Sequence, residues 1–464
     1  MYEVSFTLHE LLRATGGRLT GDNAPAAVDS VFTDTRESAK NALFLAFSGE
    51  SFDAHDYLAQ AVANGASLLC IEESKADRLP PGVPAILVPS TVTAFQHIAR
   101  FHRLRFPDLK VILLSGSCGK TSTKESLRAI FEHAMDSVSV LATEGNTNNQ
   151  IGLPQNLLRL NARHRIAVLE AGTNHHGELE PLSYCAMPDI AIIVSIANCH
   201  LEYLGSLEGV ATEKSRLFTH LAPGGFAVIP AECPGQDILA KAAAPFRTGT
   251  FGFDGSDADL TAHYLGGNLH GAKFTLRRES TGETVSVQWG VPGRHQAGNA
   301  AAAALAALSL GVPFEIIAEG LGRTTLPGLR MRVSEHAGST WINDAYNANP
   351  DSMAASLNWL SEFADPAKLV LVLGDMGELG ERSAEGHRSV CALAKHLFPS
   401  AKCIVVGPNM TAAAAETGLA CKSFPSSREA AEAGLEFESG STVFLKASRS
   451  THLELIEPGA TGAH

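Results

Sequence analysis

The sequence predicts an α/β protein of three domains, with a mostly parallel sheet in the central one and a doubly wound arrangement in the last. Three observations carry that expectation. The chain is 464 residues long, enough for about three domains. Short apolar runs of strand length recur along it, separated by stretches with helical periodicity. Polar, glycine-bearing segments follow those runs, where a doubly wound sheet presents its binding loops.

Composition narrows the class. A hydrophobic fraction of 45% with 18% charged residues is ordinary for a globular chain. The formal net charge of -13 argues against a general nucleic-acid binder, which carries a basic face. Eight cysteines are scattered without a Cys-x-x-Cys pair, so neither a disulfide framework nor a zinc site is suggested. That usage fits a reducing cytoplasm. No basic-then-apolar leader and no run of membrane-spanning length is read, so neither secretion nor membrane insertion is expected.

The first domain is expected over 1–107. Residues 31–33 and 42–47 read as strands, and 57–64 as a helix that Gly65 ends. Two polar clusters follow apolar runs: Thr33-Asp34-Thr35-Arg36, and Ser48-Gly49-Glu50 continuing to Asp56. On composition alone they are binding loops or solvated turns. A helix rich in His and Arg over 94–105 precedes the boundary at Pro107.

The second domain, 108–327, opens on Ser115-Gly116-Ser117-Cys118-Gly119-Lys120-Thr121-Ser122. An apolar strand feeds this short glycine loop, and a helix follows it. Glycines let backbone N–H groups turn inward on phosphate oxygens, and the helix places its positive end there. Lys120 reaches the outer phosphates of a nucleotide, and the Thr121 hydroxyl can ligate magnesium. The spacing is short, with two residues between the glycines where the strict loop has four.

An amide-rich loop, Asn146-Thr147-Asn148-Asn149-Gln150, can bind a polar ligand or simply make turns. A strand over 165–170 ends in Glu170, where a carboxylate sits near the magnesium of a phosphate-loop enzyme. His200 follows the strand over 190–195 and is a candidate for a second magnesium or a phosphate. Lys214 lies on a helix over 209–217, and its default reading is a solvated lysine. Residues 293–299 read as a loop entering an alanine-rich helix over 300–310.

The third domain, 328–464, is the most regular. Strands over 341–346, 368–373, 403–406 and 443–446 alternate with helices. Asn349-Pro350 starts one helix, with Asn as cap and Pro in the first turn.

With these motifs in place, the chain resembles the Mur ligase family of ATP-dependent amide-bond-forming enzymes. The short Gly-x-x-Gly-Lys-Thr loop is that family's own form. The Asn-rich loop, Asp344-Ala345-Tyr346-Asn347-Ala348-Asn349-Pro350, and Gly374-Asp375-Met376-Gly377-Glu378-Leu379-Gly380 are similar to family motifs as well. The resemblance spans nearly the whole chain. It implies an N-terminal UDP-binding domain, a central P-loop ATPase-like domain and a C-terminal Rossmann-like domain.

Site roles are carried over from that resemblance. Gly116, Ser117, Cys118, Gly119, Lys120, Thr121 and Ser122 would hold the ATP phosphates. Thr121 and Glu170 would serve one magnesium and His200 a second. Lys214 matches a lysine that is carbamylated in the family, which makes it an anionic ligand. Asn299 would meet the adenine, with Arg330 and Asp344 approaching ATP from the last domain. Thr35, Arg36, Ser48, Gly49 and Glu50 would bind the UDP moiety, and Asn146, Thr147 and Asn149 the substrate. The implied substrates are UDP-N-acetylmuramoyl-tripeptide and D-alanyl-D-alanine, joined by a cytoplasmic monomer. Four positions depart from the family pattern: Ala54 where glycine is usual, Asn343 where a second aspartate is usual, Leu329 before Arg330, and Ala447 where glycine is usual. Two other readings stay open: another amide ligase, such as a folylpolyglutamate-type enzyme, and a regulatory P-loop NTPase.

Overall fold

A computed structural model describes residues 1–49 and 51–459. Glu50, one of the expected substrate contacts, lies outside the described residues.

Three large sheets follow one another along the chain, beside a two-stranded ribbon of Phe6–Thr7 and Ala27–Val28. The first has five strands, in the order Arg18–Thr20, Ala85–Val88, Ala66–Glu72, Ala42–Leu45, Ser30–Phe32. All neighbours are parallel except the first pair. The loops 33–36 and 46–56 leave the carboxyl ends of two parallel strands, as the apolar-then-polar pattern predicts. Ala54 opens a 3-10 turn capped by Asp53, a right-handed conformation in which a Cβ is no burden.

The second sheet has nine strands. Its centre is Lys110–Ser115, between Ile166–Glu170 on one side and Ile190–Ile193 on the other. The chain runs outward through Val140–Ala142, returns, and then builds in the opposite direction. The phosphate loop therefore leaves the sheet at its topological switch point, where a crevice opens beyond the carboxyl ends of the strands. Every residue of 111–115 is buried, the two-sided burial that produces a continuous apolar run.

The far edge differs from the mostly parallel expectation. Gly271–Arg278 adds antiparallel to Leu260–Asn268, and Thr284–Trp289 adds antiparallel to Gly271–Arg278. Thr284–Trp289 alternates exposed and buried residues, the pattern of a strand with one wet face.

The third sheet runs Arg332–His336, Ser339–Asn343, Thr442–Lys446, Leu369–Gly374, Lys402–Val406, Cys421–Phe424, antiparallel only at its first pair. Helix Pro350–Ser361 has the expected start: Asn349 accepts from the Ser352 N–H, and the Ser352 hydroxyl accepts from the Asn349 N–H. Among the described residues no helix is long and apolar enough to cross a membrane.

Candidate active site at the phosphate loop

The loop is strapped to the neighbouring strand end. Ser117 and Cys118 donate from their backbone to the Ser195 carbonyl and hydroxyl, each at 2.9 Å. The Ser195 hydroxyl returns a bond to the Cys118 carbonyl at 2.9 Å. Gly119 has φ +82, and a Cβ there would lie 2.3 Å from Asn299 Oδ1. Glycine is required at that position by both the left-handed backbone and the close approach.

Helix Lys120–Ala134 starts directly at Gly119 with no side-chain cap. Its first N–H groups are thus left for a ligand, at the positive end of the helix. The Lys120 ammonium rests on the Gly116 carbonyl at 2.8 Å, folded back over the loop it would serve.

Beneath the loop sits an oxygen pair. The Thr121 hydroxyl donates to Glu170 Oε2 at 3.0 Å, and Asn148 Nδ2 donates to Oε1 at 2.8 Å. Glu170 is only 3% exposed, and its backbone N–H donates to the Thr143 hydroxyl at 2.9 Å. The Thr143 carbonyl accepts from the buried Lys124 at 2.8 Å. Glu170 is thereby oriented from three sides. Two hard oxygen donors beside a phosphate-binding loop fit magnesium, which takes one or two protein oxygens and completes its shell with phosphate and water. Among the described residues no cluster of three or more His, Cys, Asp or Glu side chains forms a self-sufficient metal cage.

Asn148 is the member of the amide-rich loop that reaches this centre, and sequence reasoning passed over it. Its neighbours make turns. Asn149 Oδ1 accepts from the Ile151 and Gly152 N–H groups. The Thr147 hydroxyl donates to the Glu144 carbonyl at 2.6 Å, and the Asn146 carbonyl accepts from the Asn148 N–H.

Lys214 corrects the solvated reading. It is 1% exposed, and its ammonium makes no hydrogen bond or ion pair among the described residues. Burial pushes its amine down to about 8, opposed by Cys199 and reinforced by the charge of Lys120. Its neighbour Glu213, fully buried, accepts from the Gly177 and Leu179 N–H groups. Helix Leu207–Ser215 thus turns polar residues inward.

Asn299 is a second correction. Helix Arg294–Ser309 begins before it, so Asn299 lies within a helix, not in an entering loop. Gly293 holds φ +102 at the cap, and Asn299 on this first stretch of the helix lies against Gly119 of the phosphate loop. Asn299 Nδ2 donates to Gln296 Oε1 at 2.9 Å.

The third sheet closes on this centre. Asn349 Nδ2 donates to the Cys118 sulfur at 3.1 Å. Asn198 donates from its backbone and its amide to Asp351 Oδ2, at 2.8 and 3.1 Å. His200 Nδ1 lies 2.5 Å from Glu378 Oε2. Asp344 is ion-paired with the buried Lys446 and also accepts from the Met331 N–H at 3.2 Å. The Arg330 guanidinium lies 3.6 Å above the Tyr346 ring. Leu329 contributes its carbonyl, which accepts from the Tyr346 N–H, so its side-chain identity leaves this contact intact.

The remaining expected contacts form a separate cluster on the first sheet. Arg36 is paired with Asp34 at 2.6 Å, and the Thr35 carbonyl accepts from Asn64 Nδ2 at 2.6 Å. The Ser48 hydroxyl donates to Asp53 Oδ1 at 3.2 Å and accepts from Lys75. Gly49 donates to the Phe52 carbonyl at 2.8 Å. Lys75 and Arg78 converge on Asp53, and exposed Phe52 and Tyr57 stack with centroids 5.3 Å apart. These four side chains follow no local pattern in the sequence.

An ATPase-like loop at a switch point, two buried magnesium-type oxygens and a third sheet closing over them define an ATP-dependent ligase architecture. The family model described as "Mur ligase middle domain" matches residues 114–307, and "Mur ligase, glutamate ligase domain" matches 329–449. The chain belongs to the Mur ligase family. It is 37% identical to UDP-N-acetylmuramoyl-tripeptide--D-alanyl-D-alanine ligase of Escherichia coli (strain K12), over 84% of each protein. A crystal structure of MurF from Acinetobacter baumannii is similar over 98% of both chains, with a TM-score of 0.88 at 32% identity. A MurF ligase from Thermotoga maritima, solved in complex with ADP, is similar over 92% of this chain and 96% of its own, with a TM-score of 0.79 at 25% identity.

Proposed function

We propose that the chain joins D-alanyl-D-alanine to UDP-N-acetylmuramoyl-tripeptide at the expense of ATP. The product is the pentapeptide precursor of peptidoglycan, and the compartment is the cytoplasm, which supplies ATP and the UDP-sugar. The observation that carries the reading is the buried Thr121–Glu170 pair at the phosphate loop, with Asn349, Asp351 and Glu378 of the third domain bonded to Cys118, Asn198 and His200 around it. The likeness to named D-alanyl-D-alanine ligases along most of the chain supports the choice of substrates.

The division of labour follows the three sheets, with boundaries near 107 and 327. The first would hold the UDP moiety, with Thr35, Arg36, Ser48 and Gly49 at its strand ends. Exposed Phe52 and Tyr57 offer a flat face for the base. The central sheet would hold the ATP phosphates on residues 116–122, with Asn299 behind the loop. The third would bring Arg330 and Asp344 to the nucleotide and admit the dipeptide.

The chemistry is an activation. A carboxylate is a poor acylating agent, so the terminal tripeptide carboxylate attacks the γ-phosphate in line and displaces ADP. The free amine of D-alanyl-D-alanine then attacks the acyl phosphate carbonyl, and inorganic phosphate leaves. Lys120 compensates charge on the transferring phosphoryl group. Thr121 and Glu170 would hold one magnesium; His200 and a carbamylated Lys214 would serve a second. Bound magnesium would supply charge neutralisation on the phosphate oxygens. A buried lysine with a depressed pKa suits carbamylation, which needs the neutral amine. Closure of the third sheet aligns the reactants and excludes water, which would otherwise hydrolyse the acyl phosphate.

The test is phosphate release from ATP with the two substrates present together and with each omitted. Release that needs both supports the proposal. Release that needs neither indicates a regulatory NTPase, and release that needs the tripeptide with another amine indicates a different amide ligase.

A further inference from the structure

The segment Gly374 to Gly380 carries a carboxylate that the mechanism above does not use. Glu378 Oε2 lies 2.5 Å from His200 Nδ1, across the boundary between the second and third sheets. The Glu378 carbonyl accepts from the Glu202 N–H at 3.3 Å, just beyond the same histidine. Both members of the pair sit in the left-handed backbone region, His200 at φ 52 and Glu378 at φ 60. Such conformations are uncommon for residues with a Cβ, cost energy, and persist where the surroundings over-determine them.

Both sides are held. On the third sheet, the Met376 N–H donates to the buried His387 Nε2 at 2.9 Å, and the Gly377 N–H to the Ser448 hydroxyl at 2.8 Å. Gly380, at φ +54, packs so close that a Cβ would lie 3.0 Å from Glu202 Cα. On the central sheet, His200 precedes the short helix Leu201–Leu204, whose last N–H groups return to its carbonyl. The phosphate-loop Lys120 and His175 are near enough for their charges to act on Glu378.

We propose that Glu378 is a positioning residue for His200. Reaching across from the third sheet, its carboxylate fixes the ring orientation and keeps the proton on Nδ1, so that the site beside the phosphate loop is complete only while the two sheets are in contact. With Nδ1–H committed to a carboxylate, Nε2 keeps its lone pair, the arrangement that orients a histidine as a metal ligand. The consequence is a link between closure and competence: when the third sheet swings away, His200 loses its proton anchor before any bound group is lost. This rests on the ligase reading for its effect on turnover, but the pairing itself does not.

The experiment uses full-length protein labelled with 15N-histidine. Long-range 1H–15N spectra report which ring nitrogen carries the proton, and a His200→Gln spectrum assigns the His200 signals. The wild type should show His200 as the Nδ1–H tautomer. Glu378→Ala should move it towards a tautomer mixture, while Glu378→Gln, whose Oε1 still accepts, should keep the wild-type pattern. In pentapeptide formation, Glu378→Ala should lower kcat by roughly 10–100-fold, the range for removing a histidine-orienting carboxylate, with a smaller change in KM for ATP. Glu378→Gln should recover most of the rate. An unchanged His200 pattern in Glu378→Ala overturns the proposal, as does a Glu378→Gln variant as slow as Glu378→Ala. A wild type that makes no pentapeptide refutes the ligase reading instead, and the tautomer comparison still decides the pairing.

Discussion

Asn343 Nδ2 donates to Glu457 Oε2 at 2.7 Å, joining strand Ser339–Asn343 to the described end of the chain. Asn343 is fully buried and Glu457 only 4% exposed. Burial raises the Glu457 carboxyl, but hydrogen bonds from Ser334, Asn343 and Arg332 outweigh it and hold the carboxyl below its usual range. An aspartate at 343, the residue the family pattern suggests, would set two carboxylates against each other without a shared proton.

Asn343→Asp is therefore expected to destabilise the protein, by about 2–4 kcal/mol at pH 7. The sign with pH follows from the pair. The like charge raises a carboxyl pKa in the folded variant above its unfolded value, so the deficit shrinks as pH falls through that raised value and the pair takes up a proton. Urea unfolding of both proteins at pH 7 and pH 5 checks this; an equal deficit at both pH values would contradict it.

Ala447 and Gly374 form a matched pair. The Ala447 methyl fills the space that Gly374 leaves, and a Cβ on Gly374 would lie 2.7 Å from it and 2.9 Å from Thr451 Cγ2. The alanine at 447 is thus absorbed by core packing. Gly374→Ala should cost about 1–3 kcal/mol. Gly374→Ala with Ala447→Gly should recover part of that loss, with Thr451 retaining the rest. Thermal unfolding of the three variants measures the coupling.

Lys214 imposes a pH-dependent cost. Its folded amine titrates near 8, against the usual lysine value of 10.5. Between those values the unfolded chain binds a proton that the folded chain does not, so stability rises with pH across the window. Below about pH 8 the full cost is present, on the order of 3 kcal/mol. In bicarbonate-free buffer, Lys214→Met should be more stable than wild type at pH 7.5, and the gap should close towards pH 10. A gap that stays constant would show that the lysine titrates normally.

Among the described residues the Lys120 ammonium makes a single hydrogen bond, to the Gly116 carbonyl. Lys120→Ala should therefore alter stability by less than about 1 kcal/mol. Pentapeptide formation should nonetheless fall by roughly 10³-fold. Parallel melting curves and turnover assays separate the two effects; near-normal turnover would remove Lys120 from the chemistry.

The phosphate loop, Glu170 and the parallel strands were legible because local rules write them: buried strands as apolar runs, and a tight turn as glycines before a helix. The solvated default for Lys214 and the loop expected over 293–299 fail for one shared reason. The two helices turn polar residues inward towards the site, which inverts the periodicity that marks a solvent face. The strand Thr284–Trp289 did carry its signal, in the alternation of Val285, Val287 and Trp289. The His200–Glu378 and Asn198–Asp351 contacts span 178 and 153 residues. No window of sequence contains both partners, so only the folded chain brings them together.

The tripeptide carboxylate is expected to be phosphorylated before the amine attacks it. The most direct test uses UDP-N-acetylmuramoyl-tripeptide with 18O in its terminal carboxylate, together with ATP and D-alanyl-D-alanine. The account requires a pentapeptide that keeps one 18O and inorganic phosphate that carries the other. Phosphate free of 18O, with pentapeptide formed or not, would contradict it.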